Sequence, residues 1–238
     1  MLVEKRISDV AIGSRIMSEV KIDGTTWDMP LIVLGLSSDN DSILLLSEFV
    51  LLQMAMNQND VAKYFGCDVD IFLENKFKDE YISDELRQSL VKTAIVTRQN
   101  GSSIIGNRSV FLLSTSELGL NNVLGEGCNY IQAIRFGMGE VDEFETRRAY
   151  GLDGRAHYYW TRTAYTTSDF RYVLRSGYFS NDNASYPDYW LRPCFSVSLD
   201  TIVVMERDNR LLPNVYRLGR TLETFNENLF LKLLSVKN

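Results

Sequence analysis

Twelve of the 27 aromatic side chains in this chain fall within the 38 residues from Tyr158 to Phe195. Gly, Ser, Asn and Thr separate them, and helix signals are weak from Asn121 to Val204. The block therefore reads as short aromatic strands joined by polar loops. Two echoes frame it, Tyr159-Trp160-Thr161-Arg162 and Tyr189-Trp190-Leu191-Arg192. Rigid amphipathic rings with adaptable polar neighbours and Arg are the composition of a recognition surface. The same rings can also fill the core of a small sheet.

The first half of the chain has a different texture. Residues Ile7 to Val20 and Thr26 to Gly35 read as strands around an Asp23-Gly24 turn, and Ser42 to Leu46 as a third. Helical spacing runs over Asp70 to Phe77, and Ser83 followed by Asp84 and Glu85 opens a helix to about Thr93. Val110 to Leu113 reads as a buried strand leading into Ser114-Thr115-Ser116-Glu117, whose spacing is that of a capping box. Ser180 to Ser185 reads as a surface turn, and Ser196 to Met205 as a closing strand. Past Thr221, Leu222, Phe225, Leu229, Phe230 and Leu233 form an amphipathic helical pattern. The expected fold class is α+β, with short antiparallel strands, two or three helices and a long loop-rich C-terminal half. Residues 1–205 would form one domain and residues 206–238 a C-terminal extension, partly helical.

Charge and cysteine content narrow the function classes. A net charge of -6 argues against duplex DNA or an anionic membrane as partner. Three widely spaced cysteines, Cys67, Cys128 and Cys194, fit buried free thiols of a protein made in a reducing cytoplasm. The N-terminus carries no signal-peptide pattern, and no apolar run reaches the length of a membrane span.

Several motifs then fall into a recognisable order: Ile7-Ser8-Asp9-Val10-Ala11-Ile12-Gly13-Ser14, Val110-Phe111-Leu112-Leu113-Ser114-Thr115-Ser116-Glu117, Thr146-Arg147-Arg148-Ala149, Tyr159-Trp160-Thr161-Arg162 and Leu191-Arg192-Pro193-Cys194-Phe195. The order resembles a bacterial and phage family of unassigned function whose members read ISDLxxGS, KVFLLSxxE, RRIA, WWLRSP and GVRPAL. The resemblance covers residues 7–205. It implies a C-type-lectin-like fold, shared with phage receptor-binding variable proteins and formylglycine-generating enzymes, and a role in the virion. The arginine is kept in the last two motifs while its neighbours differ, which implies scaffold roles for Arg162 and Arg192.

Trp160, Arg162, Trp190 and Arg192 are thus the expected structural or binding residues. A guanidinium stacked on an aromatic and forked onto carbonyls or a carboxylate would pin the loop-rich half to the strand core. Direct ligand contact is the alternative. Tyr165, Tyr172, Tyr178 and Tyr186, on the loops between the echoes, are the candidate recognition surface.

No catalytic or metal constellation stands out. His157 is the single histidine, and no nucleophile elbow lies near it. Asp39-Asn40-Asp41, Asp68 with Asp70, and Asn181-Asp182-Asn183 offer oxygen ligands without a fixed calcium register. The expectation is therefore a non-enzymatic bacteriophage virion protein without cofactor, made in the host cytoplasm. It would decorate the particle or sit at its tail, docking on other virion proteins in a symmetric assembly. The alternatives are a display module for host polysaccharide or protein, and a metal-dependent enzyme of formylglycine-generating type.

Overall fold

The computed structural model describes residues 2–99, 101–120, 126–135, 141–206 and 215–218. The first half contributes strands β1 (Leu2–Arg6), β2 (Arg15–Ile22), β3 (Thr25–Leu36), β4 (Ser42–Ser47), β5 (Thr93–Gln99), β6 (Ser102–Arg108) and β7 (Val110–Leu112). The second contributes β8 (Tyr159–Ala164), β9 (Asp169–Val173), β10 (Phe179–Asn183), β11 (Pro193–Ser198), β12 (Ile202–Glu206) and β13 (Val215–Leu218). Eight of these form one sheet in the order β1-β12-β13-β2-β3-β4-β11-β7. It is mixed, because β13 runs parallel to β2 while its other pairings are antiparallel.

Local chemistry explains the β2–β3 hairpin. Asp23 and Gly24 both have positive φ, 49° and 76°, the two-residue turn whose twist matches the flanking strands. The ladder runs in register from Ile22↔Thr25 back to Arg15↔Ile32. β4 lies inside the sheet between β3 and β11, and all six of its residues are buried. That is why it reads as the unbroken run Ile43-Leu44-Leu45-Leu46 instead of an alternating pattern. Each buried leucine contributes about 1.5–3 kcal/mol. Five short helices join the strands: α1 (Asp68–Phe72), α2 (Lys78–Glu80), α3 (Asp84–Ser89), α4 (Ile131–Arg135) and α5 (Glu143–Arg147). A π-helical turn, Leu73–Phe77, links α1 to α2, and its Phe77 packs against Phe195 of β11 at 6.3 Å.

The α+β, lectin-like expectation is overturned. Among the described residues strand outweighs helix by 43% to 16%, and the large mixed sheet draws strands from both halves of the chain. The C-terminal strands do not keep to one sheet of their own: β11, β12 and β13 join the main sheet, and β8, β9 and β10 form a small one beside it. Non-local pairing is the physical reason. The Ser83 hydroxyl caps α3 by accepting from Leu86 N–H at 3.2 Å, but the helix stops at Ser89. Leu90 bridges Val197 and Val91 donates to Ser196, so the chain is drawn onto β11 before Thr93. The span after it forms the β5–β6 hairpin. Ser180 to Ser185, read as a turn, contributes most of β10, because β9 supplies a full ladder for it. Val215–Leu218, placed by sequence in an extension, is an inner strand of the main sheet. The helical pattern from Thr221 lies outside the described residues.

Two smaller sheets sit beside the main one, β10-β9-β8 and β5-β6. β8 is tied to the β7 end of the main sheet, where Arg162 N–H donates to the Leu113 carbonyl at 3.1 Å. The aromatic block is therefore mounted on the edge of the apolar core.

Candidate binding surface

Beneath the aromatic block lies a buried polar node. The Arg162 side chain is fully buried and all five of its N–H donors have an acceptor. Nη1 and Nη2 fork onto the Glu117 carboxylate at 2.5 and 2.8 Å. The remaining donors reach the carbonyls of Val96 at 3.1 Å, Leu112 at 2.9 Å and Glu126 at 2.9 Å. One guanidinium thus joins β5, β7, β8 and two loops. Burial would lower its pKa, but the Glu117 charge outweighs that and holds it above the ordinary value.

Glu117 is also half of a reciprocal cap. Its N–H donates to the Ser114 hydroxyl at 3.2 Å, and its carboxylate accepts from Ser114 N–H at 2.8 Å. The hydrogen bonds of the Ser-x-x-Glu motif form, although residues 115–119 make turns and not a helix. The carboxylate points to the guanidinium instead of opening a helix.

Glu126 is buried beside this pair without a cation on its own carboxyl among the described contacts. Oε1 accepts from Arg98 N–H at 3.1 Å and Oε2 from the Thr163 hydroxyl at 2.5 Å. Burial pushes its pKa up, and the Thr163 bond and the Arg162 charge only partly offset this.

The other three framing residues are placed as follows. Trp160 is buried, with its indole N–H donating to the Met54 carbonyl at 3.0 Å. Arg192 is buried over the Tyr159 ring at 5.5 Å and donates to the Ser47 carbonyl at 3.0 Å. No carboxylate pairs with it among the described residues. Trp190 is half-buried, its ring 4.4 Å from His157. Arg162 stacks on Phe111 at 5.6 Å, so neither guanidinium stacks on a tryptophan. Arg147, which the sequence did not single out, is clamped between the Phe144 and Phe179 rings at 5.5 and 4.9 Å.

The four candidate tyrosines do not form one surface. Tyr172 is buried, 8% exposed, stacked face to face on Tyr189 at 4.2 Å. Its place on β9 turns its ring under Tyr189, which arrives from the loop before β11. Tyr165 and Tyr178 are exposed but sit at turns on opposite ends of β9, against Arg171 at 4.1 Å and Phe144 at 4.0 Å. Tyr186 alone extends the stack, 4.8 Å from Tyr189 and 40% exposed.

The observed patch is therefore Tyr158, Tyr172, Tyr186 and Tyr189 over Trp160. Trp160 meets Tyr189 edge-on at 4.6 Å, and Tyr158 lies 5.8 Å from Tyr189 under the Arg175 guanidinium. The Tyr189 hydroxyl donates to Asp182 Oδ2 at 2.8 Å, which fixes the central ring. Burial and the bonds with Tyr172 and Asp182 push the Tyr189 pKa up; at Tyr186 the neighbouring Asp188 charge does so. Tyr158, Tyr189 and Asp182 are not among the residues that the sequence assigns to a recognition surface; Asp182 stands there only as a possible calcium ligand. The echo Tyr189-Trp190-Leu191-Arg192 was the available signal for Tyr189.

The acidic groups considered as calcium ligands are committed elsewhere. Asp39 accepts from Ser37, Thr93 and the N–H groups of Asp41 and Ala94. Burial would raise its pKa, but these bonds bring it down to about 2. Asp70 forks onto Arg108 with both contacts at 2.6 Å, and Asp68 accepts from Gln58 N–H at 2.7 Å. His157 Nε2 lies 2.9 Å from Asp153 Oδ1. Among the described residues no three His, Cys, Asp or Glu side chains are grouped to hold a metal ion. Cys67 and Cys194 are buried thiols, and burial pushes Cys67 up to about 12. Cys128 is exposed, against the expectation that all three are buried. No described helix is long and apolar enough to cross a membrane.

No curated protein and no solved structure matches the chain. Residues 40–199 match the family described as Domain of unknown function (DUF6273). The matched span runs from the Asp39 turn through β11 and takes in the Arg162 node and the whole tyrosine patch. Covering about two-thirds of the sequence, it makes the chain a member of that family.

Proposed function

We propose that this chain acts by docking, as a non-enzymatic protein of a phage particle that meets other particle proteins through its tyrosine patch. One observation carries the reading. The patch has a buried root, Trp160 and Tyr172, a hydrogen-bonded centre, Tyr189, and an exposed rim, Tyr186. Rings already held in place lose little conformational entropy on contact, which is how aromatic anchors dominate protein interfaces. The virion setting rests on the motif order, and the patch supplies the contact such a setting requires.

The test is incorporation into particles. Phage carrying Tyr186→Ala with Tyr158→Ala should lose the protein from purified particles while the soluble protein stays folded. Equal incorporation of the variant would overturn the reading.

A glycan ligand is favoured by one feature, the Asp182 and Asp188 carboxylates beside the Tyr186 ring. Sugar faces stack on rings while hydroxyls donate to carboxylates. Saturable binding to host-wall polysaccharide, abolished by both Tyr186→Ala and Asp188→Asn, would support that ligand; binding that survives both would exclude it.

A further inference from the structure

The two edges of the β5–β6 ribbon are treated differently. On the β5 side, three side chains stand where a third strand would be. Asp39 accepts from Ala94 N–H at 2.9 Å, Glu126 accepts from Arg98 N–H at 3.1 Å, and Arg162 donates to the Val96 carbonyl at 3.1 Å. Ala94, Val96 and Arg98 therefore turn their backbone groups away from β6. The ladder is regular from Thr93↔Arg108 to Gln99↔Ser102. In an antiparallel pair, hydrogen-bonded and non-hydrogen-bonded positions alternate. Ser102, Ile104, Gly106 and Arg108 then face β5, and Ser103, Ile105 and Asn107 direct their N–H and C=O groups outward, where the Asn107 carbonyl accepts from Arg108 Nη1 at 2.9 Å on one of its two lone pairs. Among the described residues no strand pairs with that outer edge.

The outward edge also lacks the usual protection. Natural edge strands carry lysine, proline or a bulge to block pairing. β6 has none of these between Ser102 and Asn107, and its ladder shows no bulge. The alternate face settles which side is wet. Gly106 lies against the Phe65 ring and Arg108 stacks over it at 4.8 Å, so the even-numbered residues face the body. Ile105, on the other face opposite Val96, is 69% exposed, the highest value among the described large apolar residues.

We propose that β6 pairs edge to edge with β6 of a second copy, antiparallel, with Ile105 facing Ile105 of the partner subunit. This register matches all three outward residues, since Ser103 then faces Asn107 of the partner subunit and each pair exchanges both of its N–H···O bonds. Each strand offers the same edge, as a two-fold interface requires. The pairing makes a four-stranded sheet with Val96 and Ile105 of both copies in one apolar stripe. Charge permits it. In a chain of net charge -6, residues 93–108 contain no Asp or Glu, and neither Arg98 nor Arg108 meets its own counterpart in this register. The pairing does not use the tyrosine patch.

The test is oligomeric state by sedimentation velocity over a concentration series, on the full chain. A dimer is expected, and Ile105→Lys, which sets two ammonium groups together on the two-fold axis, should make it monomeric. Ile105→Pro should do the same with an unchanged circular dichroism spectrum, because the lost N–H points away from β5. Ile105→Cys in a Cys128→Ser background should form an intermolecular disulfide on mild oxidation, opposed Cα atoms in such a pair lying about 5.5 Å apart. A wild-type monomer at every concentration would overturn the proposal. So would a dimer unaffected by both Ile105→Lys and Ile105→Pro, which would place the contact elsewhere.

Discussion

Arg162 and Glu117, 45 residues apart, form a forked ion pair with the guanidinium fully buried and no donor left over. Isolated buried ion pairs often contribute little net stability, because desolvation cancels attraction. Removing one partner is another matter. Arg162→Ala leaves the buried Glu117 charge with the Ser114 N–H but no cation. It also takes a donor from the Val96, Leu112 and Glu126 carbonyls, of which Glu126 keeps the Ser114 hydroxyl. Glu117→Ala leaves the guanidinium charge unpaired. Each should cost about 3–5 kcal/mol, read as the shift in chemical-denaturation midpoint at constant slope. Arg162→Lys should recover only part, since an ammonium has three donors for five acceptors. A lysine variant as stable as wild type would show that the fork itself contributes nothing.

Glu126 should make stability depend on pH in the direction opposite to an ordinary paired carboxylate. Its folded pKa lies above the ordinary 4.5. Between those two values the folded state holds the proton more often than the unfolded state does. Stability therefore falls as pH rises through that window and stays lower above it. Glu126→Gln removes the charge and keeps both bonds: the amide oxygen accepts from Arg98 and the amide N–H donates to Thr163. Thermal unfolding from pH 4 to 8 should show the variant melting higher at neutral pH, with the gap closing toward pH 4.5. A variant uniformly less stable across that range would rule the account out.

Gly177 and Gly24 separate two kinds of glycine requirement. Both have positive φ, 84° and 76°. A Cβ on Gly24 would meet nothing within 4 Å, so Gly24→Ala should cost only the left-handed strain, about 1–2 kcal/mol. A Cβ on Gly177 would lie 1.8 Å from the Phe144 carbonyl oxygen, which is backbone and cannot swing aside. Gly177→Ala should therefore add an overpacking cost of about 1–3 kcal/mol to the same strain. It should also separate Tyr178 from Phe144, visible as a change in the near-ultraviolet aromatic signal. Equal destabilisation by the two substitutions would mean that α5 yields freely to the β9–β10 turn.

What could be read from residues alone was chemistry acting over three or four positions. The Asp23-Gly24 turn, the Ser83 cap, the buried strand at Val110 and the reciprocal Ser114–Glu117 bonds all depend on neighbours, and all are present. The same local signals missed that Glu117 continues to Arg162, and that the helix begun at Ser83 is cut short by pairing with β11. The Asn100-Gly101 dipeptide is the local hairpin signal in the sequence between β5 and β6.

The tertiary structure decided fold class, strand order and which tyrosines are covered. A strand's alternation specifies two faces but not what lies against either one. Tyr172 and Tyr186 have the same chemistry, yet Tyr189 and Trp160 bury the first, and the second stays at the rim. Such contacts join residues far apart along the chain, and their energies depend on a register that no short stretch of sequence encodes.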